Sequence, residues 1–287
     1  MICRGLAAAA AAMALACATP AAAQDAPVAT PITIGESFTM TTQDADRQIN
    51  VALPRDYENE ESRYPIILFL DGGTSQDFFL ALGIERWNQL WGRSQPAILV
   101  GVETVDRQRE LLPPTQNAEE RERYPTAGES ASFRRWLGES VLPMLRARYR
   151  HDGRAIVIGE SAAGHFVVET WLKQPDLFDG YAALSPSLQW DGQALAAGTS
   201  SDDDIDRPPM FLSLADEGGP TEQGALLLRG KRGQDFCFAD RRESHVHHAN
   251  SMHQLLPQAL QFLLPTDADW LAEYGLKVDC MVEAANQ

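Results

Sequence analysis

The chain has 287 residues, of which 44% are hydrophobic and 22% charged, and its formal net charge is −16 at pH 7. This length and composition predict a globular protein with one sizeable core, and α/β chains of this size commonly form a single domain. The strong negative charge repels phosphate backbones and anionic lipid surfaces, which argues against a nucleic-acid-binding protein.

The first residues have the pattern of an export signal. Arg4 supplies a positive charge, and an Ala/Leu/Met-rich run follows over 5–18. Together with the small residues that come next, this predicts a cleaved secretory signal peptide over 1–23 and an unstructured lead-in over 24–36. Two alternatives stay open: a membrane anchor, for which the run is short, and a lipoprotein attached through Cys17. No later segment is apolar enough to predict a membrane span.

The remainder, 37–287, is predicted to be one α/β domain. Short aliphatic runs typical of strands buried on both faces occur at 49–53, 65–70, 97–102, 154–158, 181–184 and 210–214. Helical stretches are predicted at 132–149, 162–173, 221–229 and 251–264. Because strands and helices alternate, we expect a mostly parallel central sheet with helices on both faces. Such a sheet carries its site at the carboxyl ends of the strands.

The turn between the fourth strand and the second helix contains a candidate nucleophile. Its sequence is Gly159-Glu-Ser161-Ala162-Ala163-Gly164. Small residues around a serine allow a sharp strand-to-helix turn that exposes the hydroxyl and aims the amide of Ala162 at a developing oxyanion. The match to Gly-x-Ser-x-Gly is imperfect, since Ala163 occupies the fifth position. The alternative is that Ser161 only caps a helix, but the strand before and the long helix after favour a nucleophile.

A serine nucleophile needs a neighbouring base, and in this architecture the histidine comes last in the chain. His165 lies one turn along the nucleophile helix and His253 lies in the final helix, so neither is favoured. The remaining candidates are in the loop before the final helix: His245 is preferred, His247 is second and His248 third.

The acid that orients the histidine is expected after the preceding strand. Asp216 and Glu217 follow the strand over 210–214 and are nearly equal candidates, with Glu222 more distant. A Gly-rich turn also tolerates acids for solubility alone, so only their position supports the pair.

A second amide donor for the oxyanion is expected in an early loop. The strand over 65–70 runs into Asp71-Gly72-Gly73-Thr74, where a glycine pair permits close backbone approach. We expect the amide of Gly73 or Thr74 to act with that of Ala162, although a plain tight turn is the alternative.

Two cysteines, Cys237 and Cys280, would remain after signal cleavage. In an oxidising compartment they could form a disulfide, or they could stay separate thiols. No paired Cys or His spacing surrounds them, so no metal and no other cofactor is expected.

The chain resembles the bacterial putative-esterase family of α/β hydrolases, in its siderophore-esterase-like or esterase D-like branch. The resemblance covers roughly 37–264 and is densest in IVIGESAAGHFVVETWLKQPDLFDGYAALSPSLQWD. It implies an α/β-hydrolase fold, Ser161 as nucleophile and His245 as base. It also implies Arg107, Arg109 and Glu110 at the rim of the substrate pocket, with Arg109 and Trp190 as contacts in that pocket. Ala163 in place of glycine, and Gln189 where a tryptophan is common, depart from the family pattern and affect substrate preference.

The resulting hypothesis is an exported, periplasmic or extracellular serine esterase that hydrolyses a small-molecule ester through an acyl-enzyme. Siderophore esters or acylated carbohydrates are the expected substrates. Two alternatives remain: an acyltransferase that uses the same triad, and a catalytically silent binding protein on this fold. The sequence makes no prediction of oligomeric state.

Overall fold

The computed structural model describes residues 29–42, 45–59, 61–198, 207–229, 235–242, 244–278 and 280. The predicted signal peptide with its lipidation candidate Cys17, and Glu243, lie outside the described residues. The chain divides into two compact units, Met1–Thr33 and Ile34–Gln287. The second unit contains all the helices and strands described below.

Within these described residues, eight strands form one sheet in the order β1-β2-β4-β3-β5-β6-β7-β8. Neighbours from β4 to β8 are parallel, whereas β1 and β2 are antiparallel additions at one edge. The strands are β1 Glu36–Thr41, β2 Asp46–Ala52, β3 Tyr64–Leu70, β4 Ile98–Val102, β5 His151–Glu160, β6 Gly180–Leu184, β7 Met210–Leu214 and β8 Phe236–Asp240. The loops that follow β3 to β8 therefore meet at the same edge of the sheet.

Helices cover both faces of this sheet. They are α1 Phe78–Leu90, α2 Arg107–Leu111, α3 Ala118–Arg123, α4 Ser130–Trp136, α5 Leu142–Arg148, α6 Ala162–Lys173, α7 Trp190–Ala197, α8 Gly219–Arg229, α9 Ser251–Leu263 and α10 Trp270–Glu273. A π-helical segment, Leu137–Val141, joins α4 to α5, and 3₁₀ turns occupy Pro175–Leu177 and His248–Asn250. Helices α1 and α9 pack on one face, and α4 to α6 with α8 pack on the other.

The two faces have separate hydrophobic cores, as β3 illustrates. Ile66, Leu68 and Leu70 belong to one core, and Ile67 and Phe69 to the other, because successive strand residues point to opposite faces. All five are at most 1% exposed. Each such side chain contributes about 1.5–3 kcal/mol when buried, so the central strands form a rigid base for the loops at their ends.

Every predicted strand and helix is present, with the largest difference over 132–149. The chain there is helical from Ser130 to Arg148, but the π-helical segment interrupts the α-helical pattern before α5. Pro143 is the second residue of α5 and has no amide hydrogen for the bond to the carbonyl four residues earlier. A widened turn accommodates this missing donor. The prediction contained no helix at α1, α2, α3, α7 or α10.

Near the end of the chain, a disulfide joins Cys237 on β8 to Cys280, with a Cα–Cα distance of 5.5 Å. Of the two cysteine alternatives, the disulfide is therefore the correct one. Among the described residues, no helix is long and apolar enough to cross a membrane.

Candidate active site

Ser161 lies in a strained turn between β5 and α6. Its backbone has φ 59° and ψ −117°, a conformation that costs a non-glycine residue about 1–3 kcal/mol. The amide of Ser161 donates to the carbonyl of Leu184 on β6 (3.0 Å), and its carbonyl accepts from the amide of Ser187 (2.9 Å). The neighbouring strand and loop therefore hold the serine in this conformation. Its Oγ lies 3.3 Å from the Oγ of Ser187.

The small residues of this turn are required by close backbone contacts. A Cβ on Gly159 would lie 2.6 Å from the carbonyl carbon of Ala163, and a Cβ on Gly164 would lie 3.0 Å from the Cα of Pro186. Ala163 itself is fully buried. The turn therefore accepts alanine at the fifth position of the motif, while the glycines at 159 and 164 are in the tightest places.

The predicted oxyanion loop follows β3. Its first residue, Asp71, has φ 56°, and the Gly72 amide donates to the carbonyl of Val102 (2.8 Å). The Gly73 amide donates to Oε1 of Gln76 (2.9 Å). The Thr74 amide makes no hydrogen bond within the described part of the chain. Of the two predicted donors, Thr74 thus has the uncommitted amide. Ala162 begins α6, where amides lack intrahelical partners.

Arg107 connects this loop to the nucleophile turn. Its Nε donates to Oδ2 of Asp71 (2.8 Å), and its Nη2 donates to the backbone carbonyl of Glu160 (3.2 Å). One side chain therefore contacts both the Asp71 carboxylate in the loop after β3 and the backbone immediately before Ser161. The sequence suggested this arginine only as a residue at the pocket rim.

The acids after β7 pair with histidines before α9. Nδ1 of His248 lies 2.6 Å from Oε1 of Glu217, and Nδ1 of His247 lies 2.9 Å from Oδ2 of Asp216. Glu217 also accepts from the Ala215 amide at Oε2 (2.6 Å), and Asp216 accepts from the His248 amide at Oδ1 (2.7 Å). The Glu217 side chain is 13% exposed, whereas that of Asp216 is 46% exposed.

Both acids have lowered pKa values. Hydrogen bonds from His247 and from the His248 amide hold the pKa of Asp216 below its ordinary value. Burial alone would raise the pKa of Glu217, but hydrogen bonds from His248 and the Ala215 amide outweigh it and hold that pKa below its ordinary value. The same hydrogen bond raises the pKa of His248 above 6.5, against the opposing effect of burial and with help from the charge of Glu160. A sheltered carboxylate thus stabilises protonated His248, as a general base requires.

The remaining candidates have other surroundings. His245 is exposed and makes no hydrogen bond among the described residues. The sequence ranked it above His247 and His248, but only those two histidines contact an acid in the structure. His165 is buried, with Nδ1 3.0 Å from the carbonyl of Ser187. His253 is exposed on α9. Glu222 pairs with Arg242.

The two predicted substrate-pocket residues line separate cavities. Arg109 forms an ion pair with Glu129 (2.8 Å) and lines a cavity of about 450 Å³. Trp190 is buried, donates from Nε1 to the carbonyl of Pro113 (3.0 Å), and lines a cavity of about 310 Å³. Ser161 lines neither cavity, so neither residue is placed against the serine hydroxyl by these contacts.

Glu160 is a functional candidate that the sequence reasoning passed over. Its Oε1 accepts hydrogen bonds from the Ser251 hydroxyl and from the Met252 amide (3.0 Å), at the start of α9. The signal in the sequence was its position next to Ser161, but nothing in the sequence indicates which distant segment it contacts.

Both sequence comparisons match this chain to esterases. A family model described as Putative esterase matches residues 41–249. Ferri-bacillibactin esterase BesA of Bacillus subtilis (strain 168) is 33% identical over 144 residues, which are 44% of this chain and 49% of BesA. The chain thus matches about half the length of this curated relative.

Several solved structures share the fold. An IroE-like serine hydrolase from Shewanella oneidensis superposes with a TM-score of 0.70 at 18% identity, covering 80% of each chain. BES protein from Bacillus cereus gives 0.70 at 17% identity, covering 84% of this chain and 99% of its own. Siderophore hydrolase EstB from Aspergillus nidulans gives 0.69 at 18% identity, with coverage of 84% and 99%. At these identities the match establishes the fold, and the predicted α/β-hydrolase fold is confirmed.

Proposed function

This chain belongs to the Putative esterase family, and from that premise we propose that it hydrolyses carboxylic esters with Ser161, His248 and Glu217 as its catalytic triad. One observation carries the proposal. The sheltered carboxylate of Glu217 lies 2.6 Å from Nδ1 of His248, at the same edge of the sheet as the strained turn of Ser161. This differs from the sequence-based preference for His245.

The proposed reaction has two steps. Ser161 Oγ attacks the ester carbonyl carbon while its proton moves to Nε2 of His248, and the imidazolium then protonates the departing alcohol. Water next gives a proton to the same nitrogen and attacks the acyl carbon. The bond to Ser161 Oγ breaks, the acid is released, and the imidazolium returns the proton to Oγ. The amides of Ala162 and Thr74 are the proposed oxyanion donors, and one such donor is typically worth about 10²–10³ in kcat.

His248 is favoured over His247 because of the acid that each contacts. A carboxylate sheltered from water interacts more strongly with an imidazolium, since the effective dielectric constant is lower. Glu217 is sheltered and Asp216 is half-exposed. Asp216 instead accepts from the His248 amide, which suits a role in shaping the turn.

For the substrate, we propose an ester of an iron-chelating siderophore. The support is the activity for which two similar proteins are named, a ferri-bacillibactin esterase and a siderophore hydrolase. A screen of catecholate trilactones against feruloyl and acetyl sugars separates this from an acylated carbohydrate.

We also propose export through the signal peptide at 1–23. The disulfide between Cys237 and Cys280 supports this, since such bonds persist in oxidising compartments. Amino-terminal sequencing of the secreted protein tests it: a first residue at Gln24 is expected, and an uncleaved chain retained in the cytoplasm would contradict export.

The test of the triad uses the purified protein and a short-chain nitrophenyl ester. Ser161→Ala and His248→Ala should each lower kcat by several orders of magnitude, while His245→Ala and His247→Ala, the matched controls, retain most of it. Glu217→Gln should reduce kcat far more than Asp216→Asn. Loss of activity in His245→Ala with His248→Ala still active would overturn the assignment, and a fluorophosphonate label elsewhere than on Ser161 would overturn the nucleophile.

The same variants give a pH test. Because the pKa of His248 is raised above 6.5, the acid limb of kcat/KM should have its midpoint above 6.5. In Glu217→Gln the limb should move to lower pH, since the largest cause of the raised pKa is removed. An unmoved limb would mean that another group titrates.

A further inference from the structure

Glu160 links the nucleophile turn to the start of α9, directly after the 3₁₀ turn that carries His248, and this link rests on four groups. Glu160 ends β5, immediately before Ser161. Its Oε1 accepts from the Met252 amide (3.0 Å) and from the Ser251 hydroxyl in the first turn of α9. The Ser251 hydroxyl is also 3.1 Å from the carbonyl of His248.

These contacts place a carboxylate at the amino end of α9, where the unpaired amides attract negative charge. Such a cap normally comes from the residue before the helix. Asn250 holds that position, and its side chain makes no capping bond to α9. A residue distant in sequence, beside the nucleophile, supplies the acceptor instead.

We propose that Glu160 is a positioning residue, whose carboxylate caps α9 and thereby fixes His248 relative to Ser161. The inference rests on the proposed triad and adds a group that touches neither substrate nor reacting atoms. The backbone carbonyl of Glu160 is held separately by Arg107, so the residue joins three segments of the site: the oxyanion loop, the nucleophile turn and the base turn.

The charged groups around Glu160 determine how it affects the pKa of His248 and so the pH dependence of kcat/KM. Glu160 faces His248 on the 3₁₀ turn and Asp77 before α1, and Arg107 bonds its backbone carbonyl. Burial raises the pKa of Glu160 above its ordinary value, against the hydrogen bond from Ser251 and the charge of His248. His248 in turn faces Glu217, Asp216 and Glu160. Removing the negative charge of Glu160 therefore weakens the stabilisation of protonated His248, although Glu217 still supplies the larger part.

Two substitutions separate the cap from the charge. Glu160→Gln keeps an oxygen acceptor for Ser251 and the Met252 amide but removes the charge, so it should retain most of kcat and move the acid limb of kcat/KM to lower pH. Glu160→Ala also removes the cap. A displacement of about 1 Å between reacting groups costs on the order of 10²-fold, so kcat should fall by about that factor with little change in KM.

Control variants exclude a general loss of stability. Glu85→Gln and Glu85→Ala remove another buried carboxylate, on α1 near the amide of Ala97, at the opposite edge of the sheet. They should leave kcat and the limb unchanged. Ser251→Ala should lower kcat, whereas Ser244→Ala, a matched change of a hydroxyl that bonds the carbonyl of Arg241 (2.6 Å), should not.

The decisive readout is the rate at which a fluorophosphonate labels Ser161 in folded protein, checked by circular dichroism. Slow labelling of Glu160→Ala, restored in Glu160→Gln, supports the positioning role. If the folded Glu160→Ala protein keeps its kcat and labelling rate, and the limb of Glu160→Gln does not move, the positioning role is refuted. Full activity in Ser161→Ala would instead refute the triad itself, so the two failures are distinguishable.

Discussion

Glu85 should make the stability of this protein depend on pH in a way that a single substitution removes. The residue is 2% exposed on α1, and burial raises its pKa from 4.5 to about 7. Its Oε1 accepts from Gln89 (2.6 Å), but Arg86 is 3.8 Å away and only weakly compensates the charge. The folded protein therefore holds a proton here that the unfolded chain releases more easily.

The two pKa values of Glu85 determine how the unfolding free energy changes with pH. Below pH 4.5 the carboxyl is protonated in both states, and above pH 7 it is ionised in both, with the burial cost borne by the folded state. Stability from this group is therefore present below pH 4.5 and is lost as pH rises to about 7. The rise of the pKa from 4.5 to about 7 corresponds to about 3 kcal/mol of unfolding free energy.

Urea unfolding of wild type and Glu85→Gln at several pH values measures this directly. The difference in unfolding free energy between the two proteins should shift in favour of the variant by about 3 kcal/mol between pH 4.5 and pH 8. Constant packing effects of the amide, and titrations elsewhere, cancel in that difference. Glu273→Gln, on the exposed side of α10, is the matched surface control. A difference that stays constant across this range would refute the reasoning.

Two further substitutions test the tail and the turn. The Cys237–Cys280 disulfide has a sequence separation of 43, so Cys280→Ser should lower the unfolding free energy by about 4 kcal/mol in urea titrations, and reductant should have no further effect on the variant. Gly159→Ala should lower both melting temperature and kcat, because the new methyl group would lie 2.6–2.7 Å from the carbonyl group and from the Cβ of Ala163. Addition of Ala163→Gly removes the Cβ contact but leaves the carbonyl contacts, so it should not restore either value; restoration would contradict the role of the backbone contacts.

The sequence predicted a strand or helix correctly where the pattern of buried apolar residues fits only one type of secondary structure. The strand Met210–Leu214 and the helix Ala162–Lys173 have the predicted bounds, since each is a continuous apolar or amphipathic run between breakers. Helix α1 was missed although it packs on the core: large apolar side chains such as Phe79 and Leu90 are exposed on it, which obscures its amphipathic pattern.

Of the candidate site, the sequence predicted the residue that depends on local constraints and left open those that depend on distant contacts. Ser161 could be proposed from its own neighbours, because the constraint on a strand-to-helix turn is local. The choice among three histidines depends on a 3₁₀ turn at 248–250. The choice between Asp216 and Glu217 depends on the longer side chain folding back to the Ala215 amide. Which histidine meets which acid is decided between two loops 31 residues apart, where His248 contacts Glu217 and His247 contacts Asp216, and one sequence does not encode such a contact locally.

The order of strands also determines when the proposed site comes into existence. Ser161 follows β5, Glu217 follows β7 and His248 follows β8 at the edge of the sheet. Contacts between segments so far apart in sequence form slowly during folding. A nascent chain that has not yet added β8 would carry a nucleophile without a base. Turnover would then appear only at the end of folding, after most helices have formed, and would report completion of the native state.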